Sequence, residues 1–170
     1  MIKQFRPNLY VRRITNIPID YLANHNFKGV IIDLDNTIVP WDSNRIDEEF
    51  SQWIYDLLQS GIQLVLVSNN KSRRVKEFSV LMDVPYIASA VKPLRMSFLK
   101  ALNMMDLQKQ DVVVIGDQIF TDIWGGNMLG LYTILVEPMA SKEFLGTKFL
   151  RMLERFVLNK VVMTKEKHEE

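Results

Sequence analysis

The sequence predicts a single doubly wound parallel α/β sheet flanked by helices, and three observations predict it. Short β-branched runs alternate with amphipathic segments from Gly29 onward, the pattern of a parallel sheet with crossover helices. One run, Val30-Ile31-Ile32, reads as buried yet delivers two carboxylates, Asp33 and Asp35. Polar residues also follow the other runs, and ligands of such sheets bind beyond the carboxyl ends of the strands.

The first strand is expected over Val30–Leu34. The segment WDSNRIDEEF then offers Ser43 or Asn44 as the cap of a helix over Ile46–Ser60, and Gly61 marks its exit. Strands follow over Gln63–Val67 and Tyr86–Ala88, separated by a helix over Lys71–Leu81. A helix over Arg95–Met105, a strand over Val112–Ile115, a helix over Thr121–Leu129 ended by Gly130, and a strand over Tyr132–Val136 complete the pattern. The chain reads as one domain over 1–170, with a core over about 27–138 and a basic segment over 1–26. An amphipathic helix over about 141–160 and a polar tail over 164–170 close it.

Composition narrows the chemistry. The 170 residues include no cysteine, which excludes disulfides, thiolate zinc sites and cysteine nucleophiles. Of two histidines, His168 lies in the polar tail and His25 has no motif around it, so a Ser-His-Asp triad has little to draw on. A net charge of +1 speaks against a nucleic-acid partner. The N-terminal MIKQFRPNLYVRRIT has no apolar core of a secretory signal, and no run approaches the ~20 apolar residues of a bilayer span. A cytoplasmic location is expected.

The remaining chemistry belongs to carboxylates, hydroxyls, a lysine and a metal ion. Two like charges about 6 Å apart repel by about 3 kcal/mol at an effective dielectric near 20, so Asp33 and Asp35 need a cation or a shared proton. Residues i and i+2 of an extended segment point the same way, so both acids can address one substrate. Ser68-Asn69-Asn70 follow the second strand, Lys92 follows the third and Asp117 the fourth. Magnesium held by Asp33, the Asp35 carbonyl and Asp117 would neutralise a bound phosphate, Ser68 with the following amides would form an anion site, and Lys92 would steady developing charge. Each piece alone reads equally well as a turn, a helix cap or a surface lysine; the set is what points to phosphoryl transfer. GGNMLG at Gly125–Gly130 lacks the Lys-Ser/Thr of a phosphate loop and does not follow a strand. Trp41 reads either as lining the mouth of the site or as a packed anchor.

DLDNT, SNN, KP and GDQIFTD resemble, in order, the four motifs of the haloacid dehalogenase (HAD) phosphohydrolases. DLDNTIVPWD, VSNN, KPL, VIGDQIFTDIWGGNMLG and YTILVEP resemble more closely the YqeG-like group of subfamily IIIA, related to phosphatidylglycerophosphate phosphatases. The resemblance implies Asp33 as nucleophile and Asp35 as general acid, then base. It also implies Ser68 and Lys92 as phosphate ligands beside Asn36 and Asn69, Asp117 as a magnesium ligand and Asp122 as a further metal-site acid. Asp35 and Ser68 lie 33 positions apart, and Ser68 and Lys92 lie 24 apart, which leaves no room for an inserted cap domain.

An open site suits a macromolecule, a lipid head group at a membrane, or a small substrate covered by a neighbouring subunit, and the resemblance to phosphatidylglycerophosphate phosphatases implies the lipid phosphate. Two other readings stay open: a capless phosphatase of a small soluble metabolite, and an HAD-like binding or assembly factor with little catalysis. A phospho-receiver is excluded, because IQLVLV ends in Ser68 where a receiver needs its phosphoacceptor Asp. Leu145, Phe149, Leu153 and Phe156, flanked by Lys148, Arg151, Arg155 and Lys160, predict an interfacial helix or a helix packed on the sheet. Lys3, Arg6, Arg12 and Arg13 add positive charge for peripheral contact with an anionic membrane.

Overall fold

The computed structural model describes residues 2–139. The predicted C-terminal helix and polar tail lie outside the described residues. Six parallel strands form one sheet: β1 (Leu9–Val11), β2 (Gly29–Ile32), β3 (Gln63–Val67), β4 (Tyr86–Ile87), β5 (Val112–Gly116) and β6 (Tyr132–Val136), in the order β1-β6-β5-β2-β3-β4. From β2 the chain steps outward to β3 and β4, then returns to the other side of β2 for β5 and β6. The strand order therefore reverses between β2 and β5, where a crevice opens beyond their carboxyl ends.

Every residue of β2 and β5 is buried, which explains their uninterrupted apolar runs. Val30 and Ile32 face a core shared with α1 (Ile19–Asn24), α2 (Glu48–Gln59) and α3 (Ser72–Met82), whereas Ile31 faces α4 (Arg95–Met105). Between β2 and β3 the only helix is α2, and between β3 and β4 the only helix is α3, so no cap domain is inserted. No helix among the described residues is long and apolar enough to cross a membrane.

Three expectations are corrected. The core does not begin near residue 27: β1 pairs with β6, Leu9 opposite Ile134, and Ile14, Ile17 and Leu22 are buried. Trp53 donates its indole N–H to the Ile17 carbonyl at 2.7 Å, locking the N-terminal segment onto α2. The cap of α2 is Asp47, not Ser43 or Asn44; its carboxylate accepts the Phe50 N–H at 2.7 Å. Its helix runs Glu48–Gln59, and three acids at its start suit the positive end of the helix dipole. The helix expected over Thr121–Leu129 is instead a π-turn over Ile119–Ile123 leading into the short α5 (Trp124–Asn127). A widened turn of this kind often marks a functional site.

Candidate active site

The acid centre is built at the strand-order reversal. Asp33 leaves β2 with its N–H bonded to the Ile115 carbonyl at 3.0 Å, so it emerges beside β5. β5 ends in Gly116 and is followed by Asp117, and the π-turn brings Asp122 back over the same spot. The three carboxylates are buried and offer oxygens within 4.8 Å of one another. Gly116 makes this possible, because a Cβ there would run into the Asp122 carboxyl. The N-terminal segment braces the turn: the Phe5 ring lies 5.4 Å from those of Phe120 and Trp124, and Asn127 donates to the carbonyls of Gln4 and Arg6 at 2.8 and 2.9 Å.

Lys92 enters the same spot from the loop after β4. Its Nζ donates to Asp33 Oδ1 at 2.6 Å, to Asp122 Oδ1 at 2.6 Å and to the Val67 carbonyl at 2.9 Å. All three ammonium protons are thereby used, which is what a buried lysine requires. Asn69 fixes its backbone, accepting the Lys92 N–H at 2.7 Å and donating to its carbonyl at 3.2 Å. Ser68 is buried at the end of β3, and its Oγ accepts the Asn70 N–H at 3.1 Å.

Asp35 lies in the turn that follows β2. β2 ends at Ile32, and a tight turn with Asn36 at φ 65° redirects the chain. The Asp35 carboxylate accepts Arg74 Nε at 2.8 Å and Asn70 Nδ2 at 2.9 Å. It stands beside Asp33, whose charge it opposes, but outside the three-acid cluster. Arg74 is itself held by Asn44, the Pro40 carbonyl and the Phe78 ring face. The buried Asn36 accepts the Trp41 N–H at 3.4 Å, and Trp41 is 43% exposed beside it. His25 is exposed at the end of α1, away from this edge.

Four residues that shape the site carried no individual signal in the sequence. Arg74 and Asn70 hold Asp35, Thr37 donates to Asp117 Oδ1 at 3.4 Å, and Gly116 makes room for Asp122. Thr37 and Gly116 belong to the DLDNT and GDQIFTD motifs, but their tasks are visible only in space.

The acids crowd one another. Three buried carboxylates offer oxygens within 4.8 Å of one another, and two of them, Asp33 and Asp122, share the Lys92 ammonium. Burial pushes the Asp33 carboxyl up to about 7; Lys92 opposes this and Asp122 adds to it. Burial would lower the Lys92 ammonium, but Asp122 and Asp33 together hold it above its usual range. A divalent cation would relieve the repulsion among these acids, and clustered hard carboxylate oxygens are the donors such ions take. The donor set fits.

A pH prediction follows. The folded Asp33 carboxyl titrates near 7 against an ordinary 3.8, so its stability contribution is present below 3.8 and lost as pH rises through 7. Cation and proton compete for the same oxygens, so stabilisation by magnesium should grow from pH 5 to pH 8. Melting curves with magnesium or chelator across that range test this. A magnesium shift independent of pH would count against it.

Comparison with known proteins follows the same lines. A family model described as mitochondrial PGP phosphatase matches residues 2–140. The "Probable phosphatase YqeG" of Bacillus subtilis (strain 168) is 43% identical over 157 residues, covering 92% of this chain and 91% of that protein. The phosphatidylglycerophosphate phosphatase 1, chloroplastic/mitochondrial, of Arabidopsis thaliana is 23% identical over 151 residues, with 81% of this chain matched to 42% of that longer protein. Among solved structures, the cobalt-bound deoxy-D-mannose-octulosonate 8-phosphate phosphatase of Haemophilus influenzae shares the fold at a TM-score of 0.52 and 14% identity, over 79% of this chain and 89% of that one. The chain belongs to the mitochondrial PGP phosphatase family and is a phosphatase of the HAD type.

Proposed function

We propose that the protein removes the terminal phosphate of phosphatidylglycerophosphate at a membrane surface, through a magnesium-dependent reaction with an aspartyl-phosphate intermediate. The observation that carries this reading is the buried cluster of Asp33, Asp117 and Asp122, two of whose acids pair with the buried Lys92. An Asp33 oxygen attacks phosphorus and displaces the alcohol, and Asp35 gives the leaving oxygen its proton. Asp35 then takes a proton from the water that cleaves the acyl phosphate and frees Asp33. Lys92 offsets charge gathering on the phosphoryl oxygens, with Ser68 and the N–H groups of the Asn36 and Asn69 loops completing the phosphate cradle. Asn69 also acts by positioning Lys92, since both ends of its amide hold the Lys92 backbone.

Magnesium, held by Asp33 and Asp117 with the Asp35 carbonyl and with Asp122 supporting, would screen the phosphate so that an anionic nucleophile can approach. A lipid substrate is supported by the family described as PGP phosphatase and by the cap-free edge of the sheet. Arg12 and Arg13 follow β1 on that edge, Arg13 paired with Asp47 and Glu49 and Arg12 exposed, and Arg12 supports peripheral contact with an anionic membrane from the cytoplasmic side.

The test is phosphate release from phosphatidylglycerophosphate in vesicles, compared with soluble sugar, nucleotide and glycerol phosphates. A preference for the lipid of at least about tenfold in kcat/KM is expected, and activity should vanish in chelator. Preference for a soluble metabolite would replace the substrate assignment. Absence of any magnesium-dependent hydrolysis would favour a binding or assembly role.

A further inference from the structure

We propose that the loop Val91–Met96 is a bilayer-contact rim that seats the active-site edge on an anionic lipid surface. The proposal rests on the lipid-phosphate reading above and names how that site meets its substrate. Val91, Leu94 and Met96 are 60%, 58% and 73% exposed, three aliphatic side chains in six residues. They are arranged, not frayed: the Leu94 N–H closes a turn onto the Val91 carbonyl at 3.0 Å, and Met96 lies in the first turn of α4. Val91 sits at φ 55°, a conformation unfavourable for a β-branched residue. The neighbouring Lys92 is buried against Asp33. The strain therefore holds one side chain in the acid centre while the next stands in water.

Apart from the buried acids of the site, the two chain segments that form this rim carry positive charge only. Lys71, Arg73, Arg74, Lys76, Lys92, Arg95 and Lys100 occur between Ser68 and Lys76 or between Tyr86 and Met105, and neither segment contains an acid. Arg74 is held by Asp35 and Arg73 by Glu77, whereas Lys71 and Arg95 are exposed with no ion pair among the described residues. Asn69 and Asn70 tie the loops after β3 and β4 together, so these cations and the aliphatic tips share one edge. Aliphatic tips among unopposed cations match the acyl boundary and headgroups of an anionic bilayer. A single-stranded nucleic acid would instead call for aromatic stacking platforms, which this loop lacks. Lys92 lies between Val91 and Leu94 in sequence, so a bilayer held by the tips would bring a headgroup phosphate to the acid centre.

The chain has no cysteine, so one label can report on one place. The full chain carrying Leu94→Cys, labelled with an environment-sensitive fluorophore, is mixed with phosphatidylcholine vesicles with or without phosphatidylglycerol. Leu81→Cys serves as the control, 69% exposed at the far end of α3. A blue shift and brighter emission are expected at position 94 on the anionic vesicles and not at position 81. Hydrolysis of a soluble aryl phosphate by each labelled protein verifies the fold. The pair Leu94→Glu and Met96→Glu should lower lipid turnover on vesicles about tenfold while leaving aryl phosphate turnover unchanged. No shift at position 94 on anionic vesicles overturns the proposal, including the case where binding occurs through another segment. A shift that grows with protein concentration without lipid assigns the rim to a second copy and also overturns it. If the label is silent but phosphatidylglycerophosphate in detergent micelles is still the preferred substrate, docking fails and the lipid reading stands.

Discussion

Asp33→Asn is expected to lower turnover of every phosphomonoester by about 10⁴-fold or more, because it removes the attacking oxygen while preserving side-chain shape. The fold should survive. Asp33 is buried beside Asp122 and Asp35, and its carboxyl is pushed up to about 7 chiefly by burial. A neutral amide removes that penalty and keeps a polar atom near Lys92, so the metal-free protein should melt at the wild-type temperature or above it. A catalytic site often stores instability of this kind. Parallel assays of phosphate release and of melting in chelator separate the two effects. Wild-type-like turnover by the variant would remove the aspartyl-phosphate mechanism. A collapsed melting temperature would mean that Asp33 is chiefly structural.

The parts legible in the sequence share a physical cause. β2, β5 and the acids after them were readable because a strand covered on both faces must be continuously apolar, and a carboxylate at its end breaks that rule. β3 and β6 were readable likewise, with bounds that match the sequence reading. The edge strand β1 was not. It has three residues, half-exposed, between Pro7 and the Arg12-Arg13 pair, and its pairing to β6 depends on a partner more than 120 positions away. The helix cap failed for a related reason. Ser43, Asn44 and Asp47 are all competent caps, and Asp47 is the one that Arg13 holds at 3.4 Å, from a segment read as peripheral.

The acids show the same division. Strand ends indicated that Asp33, Asp35 and Asp117 belong to one edge and the HAD resemblance added Asp122, but neither told how their charges are distributed. The π-turn closes Asp122 onto Lys92, and the turn at Asn36 hands Asp35 to Arg74. Asp35 thus pairs with a guanidinium, while Asp33 and Asp122 share one ammonium with Asp117 close by. That crowding is a spatial fact, and the metal argument depends on it.

Lys92→Met should produce the largest combined loss, in stability as well as in activity. Methionine fills most of the lysine volume but leaves Asp33 Oδ1 and Asp122 Oδ1 without their shared donor, both buried. Removing one partner of a buried ion pair costs about 3–5 kcal/mol, because the remaining charge is stranded. In a chain of this size that corresponds to a melting temperature lower by about 10 °C in chelator. The loss should shrink at pH 5, where the Asp33 carboxyl takes up a proton, and magnesium should recover part of it through the same oxygens. Adding Asp122→Asn to Lys92→Met removes one stranded charge and should restore much of the stability without restoring turnover. Melting curves of the single and double variants at pH 5 and pH 8, with and without magnesium, test the account directly. A single variant as stable as wild type in chelator at pH 8 would show that Lys92 does not balance the buried charge.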